Sequence, residues 1–212
     1  MFVSKMSYIA VLLAVGAFCL GACPFSLWIG QKFLGKDIRE YGDGNPGATN
    51  VFRSGGHASG WLAVFADMAK GVPFVFLAHS FFALPEMAVM AIAVSAIAGH
   101  SFSPVLHFKG GKSIAVTFGA LLGLLPEADL LLPFTVFTCI GILLMANHAW
   151  AVMVGPTGSL VYLVVTGAIY WQSLFMLSVL VLLGMKHYAG LKASPGLGVQ
   201  PVNWIRARRL KT

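Results

Sequence analysis

The sequence predicts an all-α, polytopic membrane protein with about seven transmembrane helices, its N-terminus outside and its C-terminus cytoplasmic. Three observations predict it: a composition suited to lipid, a succession of apolar runs, and basic residues gathered on one side. Of 212 residues, 58% are hydrophobic and only 10% are charged, and mean hydropathy is +0.84. Soluble domains carry about 25% charged residues, so this chain has too few polar side chains to coat a water-soluble globule. In hydrocarbon every backbone N–H and C=O must be paired internally, which selects helices over an open sheet.

A spanning helix needs about 20 apolar residues, and seven segments are candidates. The first runs from about Tyr8 to Phe33. It contains LGAC at Leu20 to Cys23, which looks like a lipoprotein cleavage site, but the apolar run continues through Pro24 to Gly30. The second runs from about Gly60 to Phe82 and carries Asp67 and Lys70. The third spans about Leu84 to Gly99, and the fourth, about Ser113 to Leu125, is short. The fifth, sixth and seventh run from about Leu130 to Ala146, Ala149 to Tyr170, and Ser173 to Met185. Several are short enough to be tilted, broken or re-entrant. No internal repeat or soluble second domain is visible, so residues 1–212 read as a single integral membrane domain.

Charge gives the orientation. With the N-terminus outside, one cytoplasmic loop holds Lys32, Lys36, Arg39 and Arg53, and the next holds Lys109 and Lys112. The C-terminal tail holds Lys186, Lys192, Arg206, Arg208, Arg209 and Lys211, so these segments contain twelve of the 14 basic residues. The outer loops hold Glu86, Glu127 and Asp129. Positive-inside asymmetry is the expected result of insertion, and an even number of helices would spoil it. The net charge of +7 also suits anionic lipids or substrates. Cys19, Cys23 and Cys139 all lie in apolar runs, and nothing points to a disulfide framework, a metal site or a cofactor.

The chemistry-bearing residues fall in the two long cytoplasmic loops. In GDGNPGATNVFR, Gly42, Gly44 and Gly47 spell the G-x-G-x-x-G dinucleotide fingerprint. That motif requires a preceding strand and a following helix in a parallel sheet, and here a polar stretch, KDIREY, precedes it. Another use fits better: glycines let backbone N–H groups approach an anion, Asn45, Thr49 and Asn50 add neutral donors, and Arg53 adds a fork matched to phosphate. The second loop, GHSFSPVLHFKGGKS, sets Gly110 and Gly111 between Lys109 and Lys112. It fails as a P-loop, because Leu106 stands where glycine is required. The pair of loops suggests two phosphate-like groups bound close together. The plainer reading takes the glycines as turns and the bases as topology signals that touch lipid headgroups. Asp67 and Lys70, spaced i, i+3, read as an internal ion pair. His100 at the mouth of the second loop and His187 at the exit of the last helix are placed to bind an anion or move a proton. His57, His79, His107 and His148 read as polar anchors.

These loops together resemble the PlsY family, the bacterial acyl-phosphate:glycerol-3-phosphate acyltransferases. The resemblance is carried by PFSLWIGQKFLGKDIREYGDGNPGATNVFR, DMAKG and GHSFSPVLHFKGGKSIAVTFG, and more thinly by KHYAGLK near the end. It implies a seven-helix inner-membrane enzyme with a cytoplasmic active site, one acyltransferase domain over residues 1–212. The reaction implied moves a fatty acyl group from acyl-phosphate to the 1-hydroxyl of glycerol 3-phosphate, giving lysophosphatidic acid, the first step of phospholipid synthesis. Its partners would be those two substrates and membrane lipid, with no nucleic acid, cofactor or metal. Carried over by position, Asn45, Thr49, Arg53, Lys112 and His187 would be catalytic. Asp43, Gly44, Gly47, Asn50, His100, Lys109, Gly110, Gly111 and Ser159 would bind substrate. No strong nucleophile is needed, since a substrate phosphate is thought to take the hydroxyl proton in this family.

The chain departs from the family pattern at four motif positions, and a family Ser between helices five and six has no clear counterpart, Ser159 being the candidate. Asp43 stands where the family commonly has Ser, Ser113 where it has Gly, Tyr188 where it has Arg, and Gly190 where it has Asn. A carboxylate at 43 should repel two phosphates unless Arg53 or Lys112 neutralises it; the alternatives are that Asp43 is a general base or that the acceptor has changed. These departures touch the acceptor side more than the donor side. The alternatives are a diverged relative with another acceptor or no activity, and a transporter of a phosphorylated anion. A transporter would place its polar residues at the midplane on broken helices.

Overall fold

The fold is described from a computed structural model, which describes residues 2–125, 129–167 and 170–196. Glu127 and the basic tail residues Arg206, Arg208, Arg209 and Lys211 lie outside the described residues. Among the described residues every regular element longer than an isolated bridge is a helix. The chain forms two compact units, Met1–Ala128 and Asp129–Thr212.

In the first unit α1 covers Phe2–Ala22 and stops just before Pro24, which has no N–H to continue the ladder. The helix resumes as α2, Phe25–Ile29, and widens into a π turn over Gly30–Leu34, closed by Gly35 in the left-handed region at φ 62°. The first expected span is thus one apolar segment with a break in it. After the first loop come α3 (Ala48–Arg53) and α4 (His57–Ala69). A break at Lys70 and Gly71 leads to α5 (Val72–Phe76), which ends in a second π turn, Leu77–Phe81. Pro73 sits in the first turn of α5, where its missing N–H has no intrahelical partner to lose. Then come α6 (Glu86–Ser101) and α7 (Ile114–Leu122).

Glycine sets the spacing of these helices. A Cβ on Gly21 of α1 would run into the Ala96 carbonyl of α6, and one on Gly99 of α6 would run into the Phe18 carbonyl of α1. Between α4 and α7, Gly119 lies against the Met68 carbonyl and Gly71 against Val116 and Ala120. Lipid gives no hydrophobic drive for helix association, so close backbone packing through small residues takes its place. The first loop is fastened to this frame by a buried cluster of Leu27, Ile38, Val51 and Ala63.

The second unit is α8 (Leu131–Leu144), α9 (His148–Thr166) and α10 (Tyr170–Leu191). Asn147 caps α9: its side chain accepts from the Ala149 N–H at 2.9 Å and donates to the Gly190 carbonyl at 2.9 Å. Among the described residues five segments are long and apolar enough to cross a membrane: Met6–Leu34, His57–Phe81, Glu86–Leu106, His148–Thr166 and Tyr170–Leu191. They correspond to five of the seven expected segments. The fourth and fifth are α7, with 9 residues, and α8, with 14.

Candidate active site

The first loop turns twice in quick succession. Asp37 accepts from the Arg39 N–H at 2.9 Å and opens a short 3₁₀ turn, and the Arg39 guanidinium closes onto the same carboxylate at 2.6 Å. That hydrogen bond holds the Asp37 carboxyl below its ordinary range and occupies Arg39. Gly42 and Gly44 follow at φ 60° and 72°, left-handed values that a Cβ penalises. At Gly42 the space is taken as well: a Cβ there would run into the Arg53 guanidinium and lie 2.5 Å from Asn50 Oδ1. Sequence reasoning treated Gly42 as part of a pattern. Its structural use is to let these two side chains lie flat against the turn.

The side chains that gather above this turn are those the sequence singled out. Asn50, buried at the base, donates from Nδ2 to the Asn45 carbonyl at 2.9 Å and to Asp43 Oδ1 at 3.0 Å. Arg53 donates from a guanidinium N–H to Asn50 Oδ1 at 3.1 Å, and the same nitrogen lies 3.8 Å from Asp43 Oδ1. The Asn45 N–H points at Asp43 Oδ1 at 3.3 Å. From the second loop, Lys112 Nζ donates to Asp43 Oδ2 at 2.5 Å. The two glycine-and-base loops therefore meet, and they meet on one carboxylate. Burial works to raise the Asp43 pKa. The Lys112 hydrogen bond and charge, with the Asn45 and Asn50 donors, outweigh it and hold the carboxyl at about 2 against an ordinary 3.8.

The other predicted residues of this unit have different surroundings. Thr49 is exposed on α3, Gly47 precedes that helix in extended conformation, and Lys109 is exposed. Gly110 and Gly111 are buried against His100: a Cβ on Gly110 would meet the His100 carbonyl, and one on Gly111 would meet the imidazole. The Gly111 N–H donates to the His100 carbonyl at 2.9 Å. These glycines serve close packing, and they hold Lys112 where it reaches Asp43.

Beneath them lies a buried polar cluster whose full extent the sequence did not show. Asp67 and Lys70 do form the expected ion pair, at 2.6 Å. Ser26 Oγ donates to Asp67 Oδ2 at 2.5 Å, Lys70 Nζ lies 3.2 Å from His100 Nδ1, and the Phe25 ring centre is 4.9 Å from the same ammonium. The i, i+3 spacing announced the first pair. Ser26 and His100, 41 and 30 residues away in sequence, gave no local signal.

In the second unit His187 is buried on α10, with its ring centre 5.9 Å from that of His148. Ser159 is fully buried in α9, and its hydroxyl donates to the Gly155 carbonyl at 2.8 Å. Gly190 packs on Ala149, whose Cβ would be 2.7 Å from any Cβ at position 190. Among the described residues no three His, Cys, Asp or Glu side chains are grouped as metal ligands.

Comparisons with known proteins place the chain in a family. The family model described as glycerol-3-phosphate acyltransferase matches residues 11–193. The chain belongs to the glycerol-3-phosphate acyltransferase family. That match runs well beyond Gly119, where the legible motifs end. Curated family members with that name include those of Desulforamulus reducens, 42% identical over 60% of this chain, and Streptococcus mutans, 40% identical over 55%. The alignments span 62% and 54% of those two relatives, so the chain matches between half and two thirds of their length. A crystal structure of PlsY, an integral membrane glycerol 3-phosphate acyltransferase, in its glycerol 3-phosphate form superposes with a TM-score of 0.76 at 26% identity. That superposition covers 86% of this chain and 90% of the other. The lysophosphatidic acid form gives 0.73 at 25% identity over the same shares. With integral membrane neighbours and five helices long enough to cross a bilayer, this member of the acyltransferase family is a multi-pass membrane protein.

Proposed function

We propose that the chain is a PlsY-type enzyme that transfers a fatty acyl group from acyl-phosphate to the 1-hydroxyl of glycerol 3-phosphate. The observation that carries this reading is the convergence of Asn45, Asn50, Arg53 and Lys112 on a single anion position. Both substrates bring phosphate to such a position. In the reaction the hydroxyl oxygen bonds to the acyl carbon, the bond from that carbon to the phosphate oxygen breaks, and phosphate leaves with the hydroxyl proton. Arg53 and Lys112 neutralise phosphate charge, and Asn45, Asn50, Thr49 and the Gly44 and Gly47 backbone supply neutral donors. The contribution is positioning and electrostatics. Lys109, Gly110, Gly111 and His100 build the second loop. His187 and Ser159 enter on the sequence resemblance alone, as further holders of the acceptor.

The reading includes one acyltransferase domain over residues 1–212 and seven crossings of the bacterial cytoplasmic membrane, with the N-terminus outside. Both loops then face the cytoplasm, where phosphorylated substrates are made. The test is transfer from palmitoyl-phosphate to labelled glycerol 3-phosphate by the purified chain in a lipid phase, with acyl-CoA as a parallel donor. Lysophosphatidate is expected from acyl-phosphate alone. Arg53→Ala removes a charged donor, a loss of about 10- to 150-fold in kcat/KM on the usual worth of such a bond. Wild-type turnover by the folded variant would end the case for Arg53 as a phosphate clamp.

A further inference from the structure

We propose that the Asp43 carboxylate is a built-in competitor for the substrate phosphate and sets how strongly the site takes a phosphate monoester. It rests on the phosphate-site reading above. Four groups assigned to phosphate from sequence are directed at this one side chain: the Asn45 N–H at 3.3 Å, Asn50 Nδ2 at 3.0 Å, Lys112 Nζ at 2.5 Å and the Arg53 guanidinium at 3.8 Å. An acceptor with two oxygens and one negative charge thus fills a donor set suited to an acceptor with three oxygens and up to two charges.

The arrangement can open. The Asp43 side chain is 43% exposed, Lys112 28% and Arg53 47%, and ion pairs at such exposure are weakly held. Asn50 stays in place when the carboxylate leaves, because it is buried and anchored on the Asn45 carbonyl. Charge sets the direction of the effect. Arg53 and Lys112 against one carboxylate leave a single net positive charge in the site. Without Asp43 the two cations match a phosphate dianion. Phosphate binding therefore requires the carboxylate to give up Lys112, and the affinity measured is the difference between the two anions.

The experiment is calorimetric titration of the purified full-length chain with inorganic phosphate and with glycerol 3-phosphate. Wild type is compared with Asp43→Ser, Asp43→Asn and Asp43→Glu, each shown folded by its thermal unfolding midpoint. Asp43→Ser and Asp43→Asn are expected to bind both ligands about tenfold more tightly, equivalent to about 1.4 kcal/mol. Asp43→Glu, which keeps the charge, is expected to bind as weakly as wild type. Unchanged or weaker binding by the Ser and Asn variants, beside measurable wild-type binding, overturns the proposal and leaves the acyltransferase reading standing. No phosphate binding by any of the four overturns both.

Discussion

Asp43 is the residue on which the two loops agree, and its ionisation decides how the site responds to pH. Its carboxyl is held at about 2 in the folded protein, against an ordinary 3.8. A depressed folded pKa means that the contacts to Lys112 and Asn50 contribute fully above the unfolded value and are lost as pH falls through the folded one. Across pH 6–9 Asp43 is therefore a constant negative charge, and a carboxylate so depressed is a poor proton acceptor while Lys112 holds it. The ratio of glycerol 3-phosphate KM between wild type and Asp43→Ser should be flat over that range. A ratio that changes tenfold between pH 6 and pH 8 would mean that Asp43 titrates in the working enzyme. Arg53 and Lys112 were visible in the sequence because base and glycine stand together. That Arg53 or Lys112 would have to neutralise Asp43 was legible as well; that Lys112 makes the closer contact was not, because Asp43 and Lys112 are 69 residues apart.

At the scale of elements, the second loop shows how a departure from a family pattern is absorbed. Ser113 sits at the start of α7 with φ 63°, the left-handed region where glycine is unstrained and other residues lose about 1–2 kcal/mol. Its hydroxyl pairs with that of Ser101 and also donates to the Ile97 carbonyl at 3.2 Å, all buried. Those bonds offset the strain. Ser113→Ala keeps the strain and abandons the bonds, so it should lower stability by about 1–3 kcal/mol. Ser113→Gly loses the bonds and the strain together and should unfold near the wild-type temperature. Thermal unfolding in detergent distinguishes the two, and an Ala variant at least as stable as the Gly variant would refute this account. Gly190 is absorbed in another way. Ala149 fills the space that an Asn at 190 would need, and Asn147 supplies an amide that bonds the Gly190 carbonyl.

For the molecule as a whole, the segments most legible in the sequence are those that face lipid, because hydropathy alone finds them. Met6–Leu34 and His57–Phe81 match expected spans to within a few residues, and Glu86–Leu106 starts as expected but runs seven residues past Gly99. The breaks at Pro24 and at Lys70–Gly71 were harder to see. Hydropathy averages over a turn, and the cause of each break is one residue or a packing contact. The buried Ser26, Asp67, Lys70 and His100 cluster was half legible for the same reason: only its Asp67–Lys70 pair lies within one turn. Orientation remains an inference from charge, and it has a direct test. Within the segment Glu86–Leu106 the helix α6 has 16 residues, about 24 Å at 1.5 Å per residue, and a short 3₁₀ turn over Pro104–Leu106 extends it toward the about 30 Å of a hydrocarbon core. Glu86 and Lys109 are both exposed and flank this segment. In a background with Cys19, Cys23 and Cys139 replaced, Glu86→Cys should react with an impermeant maleimide in intact cells, and Lys109→Cys only in inverted vesicles. The two loops that meet at Asp43 would then face the cytoplasm. Labelling of Lys109→Cys from outside would reverse the topology and move the phosphate site away from the compartment that makes its substrates, which would remove the acyltransferase reading's physical basis.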